Sequence, residues 1–263
     1  MRSMRLDQEL KSFEGLWDGG YYEGDPLDPF GGSSFGELGF MSVLHATYLR
    51  CIKPYVGPTT VALEIGAGRG AWTRTLLPSR EVWALDALSA EHNRFFEYLG
   101  SPDNVTYVQV TDFSCRDLPP DHFTYMFSFG TLCHVSFEGI SEYARNLFPK
   151  LRRGAECFWM FADYDKYNKA VDSLGDHRGS VSRPRGLNGW WYRTASLLRG
   201  LANARADRPT PLVRDKNNTP APGRWYHAGC AEMCSMLEEY GYVVLDGDVG
   251  TCLRDPIVHF MRP

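Results

Sequence analysis

The sequence lacks the features of a membrane or secreted protein. No apolar run approaches the length of a membrane span, and Met1 to Glu9 contains no apolar core of the kind a signal peptide needs. The seven cysteines are odd in number, scattered and without a C-x-x-C pair, which favours buried free thiols over disulfides. We therefore expect a cytoplasmic protein that does not bind a membrane.

An excess of positive charge is also lacking. The chain has 28 basic and 32 acidic residues and a net charge of −4, which disfavours non-specific binding to nucleic acid. Its 263 residues, 43% of them apolar, are enough for one domain with a large insertion. We predict an N-terminal arm and helix over 1–57, a core over 58–162, an insertion over 163–228, and a closing helix and strand pair over 229–263.

The most informative segment runs from Val61 to Gly70, V-A-L-E-I-G-A-G-R-G. It predicts a short buried strand with an acidic residue near its end, then a glycine turn and a helix. Glycines at 66 and 68 permit a tight turn and let a ligand approach the backbone, and the helix offers free N–H groups. A P-loop would need Gly-Lys-Ser/Thr here, and a dinucleotide fingerprint would place its third glycine one residue later.

Further strands end in acidic residues at the spacing of a nucleoside site. Glu81–Asp86 predicts a second strand whose final acid lies about twenty residues after the turn, and its carboxylate can accept from two adjacent hydroxyls. A third strand is predicted from Val105 to Phe113, ending in Asp112-Phe113, a fourth over 123–130 and a fifth over 156–162. Helical patterns over 71–77, 90–99 and 139–151 alternate with these strands, and a further helix is predicted before them over 39–55. This alternation predicts a doubly wound parallel sheet.

These motifs resemble those of the class I S-adenosylmethionine (SAM) methyltransferases. Glu64-x-Gly-x-Gly-x-Gly matches the first motif of that family, and Leu147 to Gly154 resembles its turn before the fifth strand. The resemblance implies a Rossmann-like sheet, which the strand pair over 242–261 would complete with one antiparallel strand. It also implies SAM as cofactor and S-adenosylhomocysteine (SAH) as product. The implied cofactor-binding residues are Glu64, Gly66, Ala67, Gly68, Asp86, Ala87, Asp112, Phe113 and Phe129.

The end of the fourth strand is the expected place for a catalytic base, because ligands bind at the carboxyl ends of parallel strands. His134 follows that strand by a few residues, and an imidazole can accept a proton at neutral pH. Many small-molecule O-methyltransferases that resemble this loop carry a histidine there, although a structural histidine is the alternative. Asp163, Tyr164 and His227 are further catalytic candidates, which would orient the base or bind acceptor hydroxyls.

Two segments outside the core leave alternatives open. Residues 1–40 contain W-D-G-G-Y-Y from Trp17 and are either a packed arm or a lid that excludes water. The segment 163–228 is rich in arginine, with Trp190 at the start of a predicted helix. It forms either the acceptor pocket or a packed insertion with a homodimer contact. Magnesium is not favoured, since no compact carboxylate cluster stands out.

The arm and the loop F-G-x-L-C-H loosely resemble bacterial sugar O-methyltransferases, among them those that act on mannosides in actinobacterial methylated polysaccharide synthesis. We therefore predict a SAM-dependent O-methyltransferase for a small-molecule hydroxyl, most specifically that of a sugar or oligosaccharide. The alternatives are a phenol, carboxylate or amine as acceptor, a non-catalytic SAM-fold protein, and an NAD-dependent oxidoreductase.

Overall fold

One seven-stranded sheet organises the part of the chain that this computed structural model describes, residues 6–31, 41–177 and 225–263. Its order is β3-β2-β1-β4-β5-β7-β6. Strands β1 to β5 pair in parallel, whereas β7 is antiparallel to both neighbours. The predicted doubly wound, mostly parallel sheet with one antiparallel strand is confirmed. The strands are β1 (Val61–Ile65), β2 (Glu81–Asp86), β3 (Val105–Gln109), β4 (Phe123–Ser128), β5 (Leu151–Met160), β6 (Val243–Asp246) and β7 (Ile257–Met261).

The central strands are buried on both faces, which explains their nearly continuous apolar sequences. All residues of β1 are buried. Side chains alternate between the faces, so Leu63 and Met126 pack into one cluster, whereas Ala62 and Phe127 pack into another. The core therefore consists of two apolar layers, one on each side of the sheet.

Helices connect the strands and cover both faces. The helix after β4 begins where Ser136 Oγ accepts a hydrogen bond from Gly139 N at 3.1 Å, an ordinary N-cap. Within residues 6–31, 41–177 and 225–263, no helix has the length and apolarity to cross a membrane. The helices are α1 (Leu6–Glu9), α2 (Val43–Thr47), α3 (Thr73–Leu76), α4 (Phe95–Leu99), α5 (Phe137–Leu147), α6 (Tyr164–His177) and α7 (Cys230–Glu239).

Several helices have other bounds than their patterns predict. The helix predicted over 90–99 begins only at Phe95, because Arg94 has a left-handed backbone with φ of 49°. The helix predicted over 39–55 begins at Val43 and ends in a π-helical turn at Ile52. The others differ by a few residues at their ends, where sequence patterns are least informative.

Two strands also differ from their predicted bounds. The third ends at Gln109 rather than Phe113. The fifth begins at Leu151 rather than residue 156, and a bulge takes up the predicted turn: Phe123 pairs with Leu151, but Tyr125 pairs with Glu156. Gly154, with φ of 78°, lies in this bulge, because a left-handed backbone favours glycine.

The predicted insertion is described only at its two ends, by α6 and by residues 225–228. The helix predicted from Trp190 to Leu201 lies outside the described residues, as do residues 32–40 of the arm. The division of the chain into four parts therefore stays a prediction.

Candidate functional site

A cavity opens at the carboxyl ends of β1, β2 and β4, the edge at which α/β sheets bind ligands. The turn after β1 and the segment after β2 line one side. The loop after β4 lines another. The arm closes the remaining side with the apolar side chains of Leu10, Phe13, Trp17 and Tyr21.

The glycine turn is shaped by close approaches on two sides. Gly66 has φ of 76°, and a Cβ atom there would lie 1.9 Å from Thr131 Oγ1. Gly68 has φ of 51°, and its Cβ would lie 2.9 Å from the Tyr21 carbonyl oxygen. Gly66 N and Ala67 N both donate to Leu85 O, at 2.7 and 3.1 Å. A side chain at either position would collide with Thr131 or Tyr21, and the backbone there favours glycine. Both glycines also line the cavity.

Asp86, the last residue of β2, lies beside this turn. Its Oδ2 accepts from Gly68 N at 2.9 Å, and its Oδ1 accepts from Leu88 N at 2.9 Å. Burial raises the pKa of Asp86, although these backbone N–H groups favour its charged form. Each oxygen keeps a further lone pair, and with Ala87 the residue lines the cavity. Asp86 therefore has the position and acceptor capacity to bind a ribose diol.

Asn93 is a cavity residue that sequence analysis missed. Its side chain is buried, and Nδ2 donates to Tyr107 Oη at 2.9 Å. Its Oδ1 has no hydrogen-bond partner within the described ranges, an arrangement that is costly unless a ligand or water donates to it. No sequence motif marks this asparagine, which lies in the irregular segment between β2 and α4.

Glu64 is buried beneath the turn rather than in the cavity wall. Thr73 Oγ1 donates to its Oε2 at 2.6 Å. Burial raises the pKa of Glu64 to about 8, while the hydrogen bond from Thr73 opposes the shift. A protonated or ionised Glu64 thus joins β1 to α3 and fixes the turn between them.

The other predicted cofactor residues lie away from the cavity lining. Asp112 accepts from Arg116 Nη2 at 2.7 Å and from Ser114 N at 2.8 Å, and these hydrogen bonds lower its pKa. Phe113 packs edge-on against Tyr143, with ring centroids 4.8 Å apart. Phe129 packs against Trp72 at 4.6 Å. Their roles in binding a cofactor stay predictions.

The arm is docked directly on the glycine turn. Arg69 N donates to Tyr21 O at 3.2 Å, and Arg69 Nε donates to Gly19 O at 2.6 Å. Glu9 anchors the start of the arm, because its buried carboxylate accepts from Ser136 N and Oγ at 2.5 and 2.7 Å. In this structure the arm covers the cavity, which both a packed arm and a lid would do, so the two alternatives stay open.

His134 is the predicted catalytic residue that the structure places in the cavity. It ends the single 3₁₀ turn Leu132–His134 after β4 and lines the cavity together with Thr131 and Val135. Its ring lies 5.4 Å from that of Trp17. The imidazole therefore contacts the arm at Trp17 and lines the same cavity as Asp86.

Asp163, Tyr164 and His227 form a separate group, and none of them lines the cavity. Asp163 Oδ1 accepts from Asp165 N and Lys166 N, and Oδ2 accepts from Cys230 N at 2.9 Å. One carboxylate thus caps both α6 and α7. His227 Nδ1 accepts from Tyr164 N at 3.0 Å, so this nitrogen is unprotonated and already used. The geometry favours a structural role for this group.

A metal site is not indicated by the described side chains. Among them, no three His, Cys, Asp or Glu residues group closely enough to hold an ion. All seven cysteines carry free thiols, and burial raises the pKa of Cys133, beside the cavity loop, well above its usual range. A thiol of this kind is a weak nucleophile.

Neither a protein-family profile nor a curated protein sequence matches the chain. Among solved structures, a SAM-dependent methyltransferase from Mesorhizobium loti gives a TM-score of 0.55 at 16% identity, over 84% of this chain and 98% of its own. A Listeria monocytogenes protein, provisionally assigned the same activity, gives 0.54 at 11% identity over 84% and 98%. Mitomycin 7-O-methyltransferase gives 0.50 at 14% identity, over 84% of this chain and 54% of its own.

Identities this low establish a shared fold and nothing finer. The similarity spans nearly the whole length of the first two proteins, and the sheet order with its one antiparallel strand agrees with it. The chain thus has the Rossmann-like fold of the SAM-dependent methyltransferases.

Proposed function

We propose that this protein is a SAM-dependent O-methyltransferase that acts on a hydroxyl of a small molecule, in particular a sugar or oligosaccharide. The observation that carries the proposal is one cavity in which the glycine turn, Asp86 and His134 meet. A cofactor-binding half and a candidate base therefore face the same space.

The residues present fit SAM in three respects. Gly66 and Gly68 line the cavity without side chains, so that a ligand there meets the backbone of the turn. Asp86 offers carboxylate oxygens to a ribose, and buried Asn93 Oδ1 offers an acceptor to a nucleoside N–H or hydroxyl. Apolar rings of the arm enclose the opposite side, which suits a sulfonium because aromatic faces attract cations.

When bound, SAM supplies a methyl group that its positive sulfur has already activated. The chain must then position an acceptor in line with that methyl group and remove the proton of the attacking hydroxyl. We assign this proton transfer to His134, and its position in the cavity lining supports that assignment. Trp17, packed against its ring, helps to hold the imidazole and keeps water away from it.

Two observations support a hydroxyl as the methyl acceptor. Oxygen methylation needs a base, and the cavity contains one in His134. The arm closes one side of this cavity, which favours a small-molecule acceptor over a polymer duplex. Among the similar structures, one is named for O-methylation of mitomycin. Cytoplasmic location and a homodimer stay predictions that accompany this proposal.

Two assays test the proposal in sequence. In a thermal-shift comparison, SAH is expected to stabilise the protein by mass action, whereas NAD is not. A labelled-methyl transfer screen across mono- and oligosaccharides, phenols, small acids and amines then identifies the acceptor class. Stabilisation by NAD alone would favour an oxidoreductase, and SAH binding without any transfer would favour a non-catalytic protein.

A further inference from the structure

A carboxylate of the arm stands beside the cavity, at the end of β4. A Cβ atom on Gly130 would lie 2.1 Å from Glu23 Oε1 and 3.3 Å from the Tyr21 ring. Gly130 has φ of 70° and lines the cavity with His134. The missing side chain at Gly130 therefore makes room for the Glu23 carboxylate, next to the loop that carries the candidate base.

A guanidinium group faces the same place. Arg254 lies in the loop between β6 and β7 and packs over Trp225. The residue after Trp225, Tyr226, donates its N–H to Cys133 O at 2.8 Å in the loop after β4. The charge of Arg254 favours the ionised form of Glu23. Arg254 Nε donates to the fully buried Asp255 carboxylate at 2.6 Å, and its guanidinium carbon lies 4.9 Å from the Trp225 ring centroid. These contacts hold the group in place while its two terminal nitrogens have no hydrogen-bond partner among the described residues.

Both charged groups remain accessible to a ligand. Glu23 is exposed to solvent, and the Arg254 side chain is 53% exposed. Neighbouring chain nevertheless surrounds Glu23 closely enough that desolvation raises its pKa to about 7, with Arg254 and a hydrogen bond from Tyr21 opposing the shift. A ligand can therefore reach Glu23, which lies against the cavity residue Gly130.

We propose that Glu23 and Arg254 together bind the molecule that receives the methyl group. Glu23 accepts a hydrogen bond from one hydroxyl of that molecule, and Arg254 donates a hydrogen bond to a neighbouring oxygen. This inference rests on the proposed function, since the cavity and His134 define which side belongs to the acceptor. A hydrogen-bond acceptor and a donor against the same loop match a compound with neighbouring hydroxyls. The rings of Tyr21 and Trp225 add flat apolar surfaces for its C–H faces.

The test compares Glu23→Gln and Glu23→Asp with wild type, in the SAH-loaded full chain for binding and with SAM for transfer. Mannobiose is the probe. Glu14→Gln is the matched control, since Glu14 is an exposed acid of the same arm. Loss of a hydrogen bond to a charged group weakens binding about tenfold or more. We expect Glu23→Gln to raise KM for mannobiose by about that factor, with kcat and SAH affinity nearly unchanged.

Glu23→Asp keeps the charge and should recover part of the affinity for mannobiose, which a merely structural role would not predict. An unchanged KM in Glu23→Gln would overturn the pair, as would wild-type protein that binds SAH but not mannobiose. Failure of the wild type to bind SAH would instead overturn the proposed function. The two failures are therefore distinguished by the SAH titration.

Discussion

Asp86 ends β2 and Asp163 follows β5, both at the carboxyl edge of the sheet. Their carboxylate oxygens nevertheless accept hydrogen bonds from different kinds of partner. Asp86 accepts from two nearby backbone N–H groups and lines a cavity. Asp163 accepts from three N–H groups at the starts of α6 and α7. A strand-terminal acid in sequence can therefore bind a ligand or cap a helix, and the tertiary partners decide between these roles.

The two candidate histidines repeat this contrast. His134 lines the cavity beside Trp17, whereas Nδ1 of His227 accepts a hydrogen bond from the backbone N–H of Tyr164. Both residues are histidines near strand ends, but only the first shares a space with Asp86. The difference predicts that the cavity side carries the chemistry and the capping side carries stability.

The largest expected effect is on catalysis. His134→Ala should lower methyl transfer by about 10²–10⁴-fold, the usual contribution of a positioned general base, with SAH affinity near that of wild type. His227→Ala should have a much smaller effect on the rate. His122→Ala is the control, because His122 pairs with Glu81 at the opposite end of β4. Full activity in His134→Ala, measured by labelled-methyl transfer, would leave positioning alone as the account of catalysis.

Asp163, which caps α6 and α7, should affect the free energy of unfolding. Asp163→Ala removes the acceptor for both helix starts, and each lost cap costs about 0.5–2 kcal/mol. We expect a loss of about 1–4 kcal/mol in denaturant unfolding, with SAH affinity per folded molecule unchanged. Asp163→Asn, which keeps one acceptor oxygen, should lose less. Equal stability of wild type and Asp163→Ala would remove the capping interpretation.

Glu64 should make the stability of the folded protein depend on pH. Burial raises its pKa to about 8, whereas a glutamate in an unfolded chain titrates near about 4.3. Between these values the folded state holds a proton that the unfolded state has released, so stability falls as pH rises through this window. Glu64→Gln should therefore lose less stability than wild type between about pH 5 and about pH 8. Equal losses in thermal unfolding would show that Glu64 titrates normally.

The smallest effect concerns the arm. If residues 16–30 close over a bound cofactor, SAH should slow hydrogen exchange of their amides more than exchange in solvent-facing helices. In this structure the arm already contacts the turn through Arg69. Equal exchange with and without SAH, followed by mass spectrometry, would reduce the arm to a packed segment.

Much of the cavity side is predictable from sequence because its signals are local. The glycine turn and Asp86 lie within one βαβ unit, so their relative position follows from chain connectivity. The placement of His134 follows in the same way from the strand that precedes it. The sheet order with its single antiparallel strand agrees with the resemblance given by these motifs.

The remaining features depend on contacts between distant residues. Glu9 binds Ser136, and Glu23 reaches Gly130, although neither pair is marked by spacing or motif. The bulge at Gly154 changes the start of β5 because the register with β4 shifts there. Sequence periodicity carries no information about such contacts, and so Asn93, Glu9 and Glu23 appear only in the structure.

The central claim is that the cavity beside Asp86 binds SAM, and calorimetric titration with SAH tests it most directly. Asp86→Ala should weaken binding by about tenfold or more, since it removes the charged group that would accept a hydrogen bond from the ribose. Asp103→Ala, which changes an exposed acid before β3 at the opposite edge of the sheet, should bind as wild type does. No binding of SAH to the wild type, or equal affinity in wild type and Asp86→Ala, would contradict the account.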